Sequence, residues 1–318
     1  MNTIGFPISQ KENERRRALI PQDAARIGHP GQLYLQSGYG QVLGYADADY
    51  EAAGCHITDL AGTLACDVIC DAKIGDEPFL GSLRPGQIVF GWVHAIQNRD
   101  ITDAIVNAGV TAYCWEDMFE NGRHVFWRNN ELAGEAAVLH AFQCWGEMAY
   151  NCKVALLGKG NVARGALKML DRLGADVTVY DRKTEKKFQQ ELDRYDVLVN
   201  GILWDPRRTD HIVYREDLKR LRPHSLIIDI SCDHHGGIET SENTTIDEPI
   251  YEVDGIVHYA VDHTPSLYYK TVSSSLSAEV AKYLDQFIES RPGPVLQGCL
   301  IIKNGEILDR RIIACQHR

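Results

Sequence analysis

The chain has 318 residues, of which 44% are hydrophobic and 24% are charged, as is ordinary for a globular protein of about two domains. Its formal net charge of −11 argues against a nucleic-acid partner, because no basic stripe is present to neutralise phosphates. Since it has neither a run of about twenty apolar residues nor a signal-peptide core, we expect a cytoplasmic protein without a membrane partner. The nine cysteines are scattered without paired CxxC motifs, so we expect reduced thiols and no metal site.

The first 128 residues alternate between apolar, strand-like segments and helical segments. The predicted strands cover residues 3–8, 32–36, 68–72, 88–93 and 111–115, and a helix is predicted over residues 21–27, where Pro21 suits a first helical position. Such alternation is typical of a mostly parallel sheet with helices on both faces. Because this part of the chain has no glycine fingerprint, we expect it to bind the substrates rather than a second nucleotide.

Residues 152–181 have the pattern of a dinucleotide-binding unit. A strand over residues 153–157 precedes a GxGxxA turn, an amphipathic helix and a second strand over residues 177–180, which ends on Asp181. The residues of this turn expected to form the cofactor site are Gly158, Gly160, Asn161, Val162 and Ala163, and the small Ala163 lets the helix pack on the strand. Glycine permits the tight turn and the close backbone approach, and the N–H groups at the helix start favour phosphate. An ordinary βαβ crossover is the alternative interpretation.

The end of this unit gives conflicting indications about the cofactor. Asp181 ends the second strand, at a position where an acidic side chain accepts the adenosine ribose hydroxyls of NAD. Arg182 and Lys183 follow immediately, and their positive charges suit the 2′-phosphate of NADP. These three residues by themselves leave both cofactors open.

The rest of the chain completes a two-domain pattern. A long helix is predicted over residues 130–150, and further strands are predicted over residues 196–203, 225–230 and 256–261. An amphipathic helix over residues 274–290 is expected to return the chain to the first domain, and Asn304-Gly305 between apolar segments 299–302 and 307–311 predicts a hairpin. We therefore predict two doubly wound, Rossmann-like α/β domains with mostly parallel sheets and a cleft between them. Residues 1–128 with 275–318 would form the substrate/catalytic domain, and residues 129–274 the NAD(P)-binding domain.

Three polar side chains follow predicted strands of the first domain. Arg16 comes after the first strand, Lys73 after the third and His94 after the fourth, and open α/β sheets bind ligands at the carboxyl ends of their strands. Arg16, or a neighbour within residues 15–17, can bind a carboxylate through two hydrogen bonds. Lys73 can polarise a keto oxygen, or relay a proton if burial favours its neutral form, and His94 can act as acid or base near neutrality. Each residue type is more often a surface charge or a structural residue when taken singly. Their expected convergence on one sheet edge favours an active site.

Several segments of the chain resemble the alanine dehydrogenase family. KENERRRALIP at residues 11–21 resembles its opening motif, while AKIGDEP at residues 72–78 and WVHAIQNRD at residues 92–100 resemble its catalytic lysine and histidine segments. The resemblance implies that Arg16 binds the carboxylate of pyruvate and that Lys73 and His94 are catalytic. LIIDISCDHHGG at residues 226–237 resembles the segment with the family's active-site aspartate, which implies a catalytic role for Asp233. VDHTPSLYYKT at residues 261–271 instead resembles saccharopine dehydrogenases, and we place its His263 among the cofactor contacts.

Nearly the whole chain, through about residue 284, is similar to the N5-(carboxyethyl)ornithine synthase family. The segments at residues 116–136 and GKGNVARGA at residues 158–166 add to this similarity. It implies an NADPH-dependent reductive condensation of pyruvate with the side-chain amine of L-ornithine, or of L-lysine, through an imine. The product would be N5-(1-carboxyethyl)-L-ornithine. The similarity therefore favours NADP(H) over NAD(H).

An amino-acid substrate needs contacts of its own. We suggest Arg128 and Glu131, which lie in a segment that we do not expect in alanine dehydrogenase, although a salt-bridged helix start explains them equally well. Two alternative functions are an alanine dehydrogenase-like or saccharopine dehydrogenase-like NAD(P)-dependent amino-acid dehydrogenase, and a non-catalytic dinucleotide-binding protein. Because helices that join two lobes offer apolar faces for self-association, we also expect a homo-oligomer.

Overall fold

The computed structural model describes residues 1–205, 208–232 and 236–318. Within these residues the chain forms two units. The first unit contains Met1–Trp127 and Tyr269–Arg318, and the second contains Arg128–Tyr268. None of the described helices is long and apolar enough to cross a membrane.

The strands are numbered in chain order. The first unit begins with β1 (Ile4–Phe6), β2 (Leu33–Gln36), β3 (His56–Thr58), β4 (Val68–Cys70), β5 (Ile88–Gly91), β6 (Thr111–Cys114), β7 (Phe119–Glu120) and β8 (Arg123–His124). The second unit contributes β9 (Lys153–Leu157), β10 (Asp176–Tyr180), β11 (Val197–Asn200), β12 (Leu226–Asp229), β13 (Ile250–Val253) and β14 (Ile256–Tyr259). The end of the chain adds β15 (Leu300–Lys303) and β16 (Glu306–Ile307) to the first unit.

The α-helices are numbered in the same way. They are α1 (Pro21–Ala24), α2 (Asp47–Ala52), α3 (Leu60–Leu64), α4 (Arg99–Ala108), α5 (Trp127–Trp145), α6 (Asn161–Arg172), α7 (Glu185–Gln190), α8 (Tyr269–Ile288), α9 (Pro294–Gly298) and α10 (Arg310–Gln316).

The main sheet of the first unit has eight strands in the order β16-β15-β6-β5-β4-β1-β2-β3. Strands β1 to β6 pair in parallel, whereas β15 joins β6 and β16 joins β15 in antiparallel fashion. Ile69, Val89 and Ala112 lie on three neighbouring strands and are buried in one apolar layer with Ile105 of α4. Because helices cover these strands, their sequences are continuous apolar runs rather than alternating ones.

The sheet of the second unit has six strands in the order β10-β9-β11-β12-β14-β13, and only the edge strand β13 runs antiparallel to its neighbour. The chain leaves β9 to form β10 on one side and then forms β11 on the other side. The strand order therefore reverses at β9, and open α/β sheets bind ligands at the carboxyl ends of strands at such a point. Val154 and Leu156 of β9 pack with Ala163 and Ala166 of α6, which holds the helix on the sheet.

The predicted α/β class with mostly parallel sheets is confirmed. The predicted hairpin is also present, with Asn304 and Gly305 in left-handed conformations between β15 and β16. Strand β16 ends at Ile307, short of the predicted residue 311, because Asp309 accepts the backbone N–H of Arg311 and starts α10. The local cap therefore overrides the apolar pattern of that segment.

Other differences from the prediction concern short or exposed elements. Strands β3 and β13 are not predicted, since each is a partly exposed edge strand without an apolar run. Helix α5 begins before the predicted residue 130 and ends at Trp145, next to Gly146 in the left-handed conformation. A left-handed glycine is a common helix end, and it stops α5 before the predicted residue 150.

Helices α5 and α6 of the second unit touch through glycine. A Cβ atom added to Gly165 would lie well under 3.0 Å from the carbonyl oxygen of Glu131, and one added to Gly134 would lie equally close to the carbonyl oxygen of Val162. Such separations are available only to glycine. This contact fixes the first turns of α6, which follow the GxGxxA turn.

We predict that Gly165→Ala destabilises the protein by about 1–3 kcal/mol, because the added methyl group must push the helices apart. The direction of the change in unfolding free energy is informative. Alanine favours an isolated helix by about 1 kcal/mol over glycine, so without the close contact this substitution would stabilise the protein. Gly298→Ala is the matched control, because a Cβ atom there meets open space. Urea unfolding of both variants measures the difference, and equal stabilities would contradict the close helix contact.

Candidate active site

The loops that carry Lys73 and His94 lie against each other in the first unit. Lys73 follows β4 and His94 follows β5, and these two strands are parallel neighbours. A Cβ atom on Gly75 would lie well under 3.0 Å from the carbonyl oxygen of Val93, and the Gly75 N–H donates to the carbonyl of Trp92 at 3.1 Å. The two strand ends are therefore held together by main-chain contact, as predicted from their shared sheet edge.

Lys73 is a buried cation with an acidic partner. Its Nζ lies 3.1 Å from Oδ2 of Asp76, and its side chain is only 8% exposed. Lys11 Nζ lies 3.8 Å from the same oxygen. Burial acts in the opposite direction, but the charges of Lys73, Lys11 and His94 lower the pKa of the Asp76 carboxyl. Lys73 and His94 therefore share this carboxylate as a neighbour.

His94 is held in an unusual backbone conformation by Glu116. Its φ of 54° is left-handed, a region that few side chains other than Asn, Asp and His adopt. Its backbone N–H donates to Oε1 of Glu116 at 2.6 Å, and the N–H of Val93 donates to the same oxygen at 2.9 Å. The ring Nδ1 of His94 lies 3.5 Å from that oxygen as well. Glu116, which follows β6, thus orients both the backbone and the ring of His94.

The other oxygen of Glu116 has a different environment. Oε2 is buried and has no hydrogen-bond partner among the described residues. Burial raises the pKa of Glu116 to about 7, although the backbone N–H groups that it accepts act in the opposite direction. Near neutral pH this carboxyl is therefore partly protonated.

The three consecutive arginines have three different environments. Arg16 is buried, and its Nε donates to Oε1 of Glu14 at 2.8 Å while Nη2 donates to Oε2 at 2.5 Å. Its guanidinium lies over the ring of Trp92, 5.2 Å from the ring centroid. Arg17 instead donates to the carbonyl of Tyr39, and Arg15 is exposed. Of the three arginines, Arg16 is therefore the one that lies against Trp92, which follows β5 and precedes His94 by two residues.

Two buried acids join the loops of this site. Burial, with Glu77 nearby, raises the pKa of Asp71, whose Oδ2 accepts the backbone N–H of Lys73 at 2.8 Å. Glu77 accepts the hydroxyl of Ser9 and the backbone N–H of Gln10. Glu77 therefore ties the N-terminal loop, which continues to Arg16, to the loop that contains Lys73.

The GxGxxA turn of the second unit has the geometry of a phosphate cradle. Gly158 has a φ of 107°, and a Cβ atom there would lie 3.0 Å from the carbonyl oxygen of Gly201. A Cβ atom on Gly160 would meet nothing within 4 Å, so the turn is open on that side. Helix α6 then starts at Asn161 without a side-chain cap, which leaves its first backbone N–H groups to a ligand. Ala163 is buried, and its backbone and Cβ lie within contact distance of a Cβ placed on Gly201.

Asp181 stands at the end of β10 with both carboxylate oxygens engaged. Oδ2 lies 2.6 Å from Nζ of Lys159, and Oδ1 accepts the backbone N–H of Lys183 at 3.0 Å and the hydroxyl of Thr184 at 3.2 Å. The hydrogen bond from Lys159 lowers the pKa of Asp181 to about 2. Arg182 and Lys183 are exposed. A pocket next to Asp181 is lined by Leu157, Tyr180, Glu185, Phe188, Ile202 and Ile212.

The remaining predicted residues lie elsewhere. Arg128 donates to Glu131 at 3.0 Å and to Glu135 at 2.8 Å, and Lys168 of α6 also donates to Glu135 at 2.7 Å. These contacts form an ion-pair network between α5 and α6, as expected of a salt-bridged helix start. His263 is buried after β14, with Nδ1 paired to the carboxylate of Asp262.

Two expectations about the site concern other parts of the chain. Asp233 lies outside the described residues, so its predicted role stays a prediction. Among the described residues no cluster of three or more His, Cys, Asp or Glu side chains has an arrangement that could hold a metal ion.

Comparison with known families identifies the family of the chain. The model of the alanine dehydrogenase/PNT N-terminal domain matches residues 5–126, and the model of the alanine dehydrogenase/PNT C-terminal domain matches residues 182–310. The chain belongs to the alanine dehydrogenase/PNT family. This membership confirms the predicted oxidoreductase class, and the cofactor of the family is a nicotinamide dinucleotide.

Individual relatives place the chain within this family. It is 30% identical over 298 residues to an N(5)-(carboxyethyl)ornithine synthase of Clostridium botulinum, with 88% of this chain and 93% of the relative covered. It is 32% identical to a protein of the same name from Lactococcus lactis subsp. lactis, covering 86% and 92%. Alanine dehydrogenase of Mycobacterium tuberculosis is 25% identical, covering 97% and 95%. The fold matches a solved L-alanine dehydrogenase with a TM-score of 0.84 at 21% identity, covering 99% of each chain.

Four residues of this arrangement are not among the predicted site residues. Each of them is the partner of a predicted residue; they are Glu14, Asp76, Glu116 and Lys159. Glu14 and Asp76 lie two and three positions from their partners in the chain, so their proximity was available from the sequence. Glu116 is brought to His94 only by the pairing of β5 with β6.

We predict that Glu116 contributes a decline in folding stability as the pH rises from 4.5 to about 7. The folded carboxyl keeps its proton up to about pH 7, whereas the unfolded one loses it near 4.5, so a higher pH favours the unfolded state in this window. Glu116→Gln should remove about 1–3 kcal/mol of this decline. Urea unfolding across the window measures it, with the exposed Glu120→Gln as control. Asp71 titrates in all three proteins, so parallel pH profiles would contradict the role of Glu116.

Proposed function

We propose that the protein catalyses the NADPH-dependent reductive condensation of pyruvate with the side-chain amine of L-ornithine, or of L-lysine, to N5-(1-carboxyethyl)-L-ornithine. The main support is the gathering of Arg16, Lys73 and His94 around the ends of β4 and β5. The relatives named N(5)-(carboxyethyl)ornithine synthase, at 30% and 32% identity, direct the choice of reaction.

Arg16 is proposed to bind the carboxylate of pyruvate. Its buried guanidinium is already fixed by Glu14 and by the ring of Trp92, so little side-chain entropy is lost when a ligand binds. A planar guanidinium offers five N–H donors in a fork that matches the two oxygens of a carboxylate. A substrate carboxylate bound to Arg16 would lie near Trp92. His94 is two residues further along the chain from Trp92, so it would be close to the bound substrate.

Lys73 and His94 are proposed to transfer the protons of the reaction. Lys73 is also proposed to contact the keto oxygen of the substrate. The attacking amine must be neutral, although an alkyl ammonium has a pKa of about 10.4, so a base has to accept its proton. An acid must then release water as the imine forms. The imidazole of His94, oriented by Glu116, suits proton transfer near neutrality. The ammonium of Lys73, paired with Asp76, suits stabilisation of the developing charge on oxygen.

The second unit is proposed to bind the dinucleotide. When bound, it supplies the hydride that reduces the carbon–nitrogen double bond. Its pyrophosphate would face the open side of Gly160 and the uncapped start of α6, next to Asn161, Val162 and Ala163. The end of β10 at Asp181 is proposed to face the adenosine end of the cofactor, and Arg182 and Lys183 suit a 2′-phosphate. We keep His263 as a cofactor contact and Asp233 as a catalytic residue in the same proposal.

Further parts of the proposal rest on the sequence. Residues 1–128 with 275–318 would bind the substrates, and residues 129–274 the cofactor. Arg128 and Glu131 remain proposed contacts of the amino acid, which would have to share them with the ion pairs of α5 and α6. We also propose that the enzyme acts in the cytoplasm as a homo-oligomer, without a nucleic-acid or membrane partner.

The decisive test is the amine requirement. We expect NADPH oxidation with pyruvate to proceed when L-ornithine or L-lysine is present and to be slow with ammonia alone, as followed by NADPH absorbance and mass spectrometry of the product. Full turnover with ammonia would instead indicate an alanine dehydrogenase-like reaction. No turnover with any keto acid and amine would contradict both reactions.

A second test concerns the carboxylate contact. Arg16→Lys should raise the KM for pyruvate about 10-fold or more, because a lysine cannot form the two parallel hydrogen bonds of a guanidinium. Arg15→Lys makes the same change at the neighbouring exposed position and should leave KM close to that of the unchanged protein. An equal KM in the two variants would remove Arg16 from the pyruvate site.

A further inference from the structure

The turn that binds the pyrophosphate also carries a cation. Lys159 lies between Gly158 and Gly160, in the variable position of the GxG pair. Leu157 at the end of β9 pairs with Tyr180 at the end of β10, so the residues that follow these two strands lie side by side. This register brings Nζ of Lys159 to 2.6 Å from Oδ2 of Asp181.

Three donors of the protein already occupy most of the acceptor sites of the Asp181 carboxylate. One oxygen accepts from Lys159, and the other closes the turn after β10 through the N–H of Lys183 and the hydroxyl of Thr184. An acid at this position binds NAD by accepting both ribose hydroxyls. Here each oxygen already has a donor and the negative charge is balanced, so the usual advantage of NAD at this position is reduced.

The local charge favours an additional phosphate. Charged side chains at this corner include Lys159, Arg182 and Lys183, which are positive, and Asp181 and Glu185, which are negative. A 2′-phosphate carries about two negative charges near pH 7 and three acceptor oxygens. Without Lys159 this corner would have one positive charge fewer, and Oδ2 of Asp181 would lose its ionic partner.

We propose that Lys159 is a specificity-determining residue that directs this site towards NADP(H) rather than NAD(H). It does so by neutralising Asp181 and by placing an ammonium group where a 2′-phosphate would bind. This inference rests on the proposed function only through the choice of NADP(H), and it concerns binding rather than turnover.

The side chain of Lys159 is well placed for a clean substitution. It is 63% exposed, and an exposed ion pair contributes little to folding stability. Lys187 is a matched control, because its side chain is 62% exposed on α7 of the same unit and pairs with Glu191 at 4.0 Å. Removal of either lysine changes the net charge by the same amount, so a difference between them reports position rather than total charge.

The test is calorimetric titration of NADP+ and NAD+ into the full chain and its variants. We expect the unchanged protein to prefer NADP+, Lys159→Ala to weaken NADP+ about tenfold or more while leaving NAD+ unchanged or tighter, and Lys187→Ala to alter neither. Asp181→Asn removes the negative charge that Lys159 neutralises, so it should raise the preference for NADP+ over NAD+. Lys159→Gln repeats the test with a longer neutral side chain, and thermal unfolding verifies that each variant is folded.

The outcomes separate this inference from the proposed reaction. If the unchanged protein prefers NADP+ and Lys159→Ala keeps the same preference, the role of Lys159 is overturned while the cofactor choice stands. If NAD+ is preferred and Asp181→Asn abolishes its binding, both the role of Lys159 and the NADP(H) assignment are overturned. If the binding results are as expected but pyruvate and ornithine give no turnover, the proposed reaction fails and the role of Lys159 is supported.

Discussion

Both sites depend on backbone segments that approach each other more closely than side chains would permit. In the first unit, Gly75 and Gly91 lie so near the carbonyl oxygens of Val93 and Asp71 that an added Cβ atom would overlap with them. In the second unit, Gly165 has the same relation to Glu131. Main-chain contact of this kind has no rotamers, so it fixes the loops that carry functional side chains within a narrow range. Catalysis by proximity requires that reacting groups be held in such a narrow range of positions.

The second recurring feature is that each cation proposed to bind a ligand has an acidic neighbour. Arg16 pairs with Glu14, Lys73 pairs with Asp76, and Lys159 pairs with Asp181. Burial of an unpaired cation would be costly, so the acids make the buried positions of Arg16 and Lys73 tolerable. They also orient the cations before an anionic ligand arrives. A ligand then competes with a carboxylate that stays attached to the protein, so the strength of each ion pair limits how tightly the ligand binds.

Local sequence patterns predicted the strands, the glycine turn and the hairpin, because each of these depends on residues close together in the chain. The α/β class follows from the alternation of these elements. The partners of the functional residues depend on tertiary contacts instead. Glu116 reaches His94 across two paired strands, and no local pattern at either residue indicates the left-handed backbone that this contact stabilises. Edge strands such as β3 were not predicted, because their partial exposure removes the apolar run that the prediction relies on.

The acid at the end of the second strand shows why a motif has to be interpreted with its variable positions. Asp181 alone indicates NAD, and it would do so in any chain where its oxygens face the ligand. In this chain the residue between the two glycines is a lysine, and the register of β9 and β10 brings it to the carboxylate. The same aspartate then closes its own turn and holds a cation beside the end of β10. The contacts of Asp181 therefore depend on one residue in a position that the glycine pattern leaves unspecified.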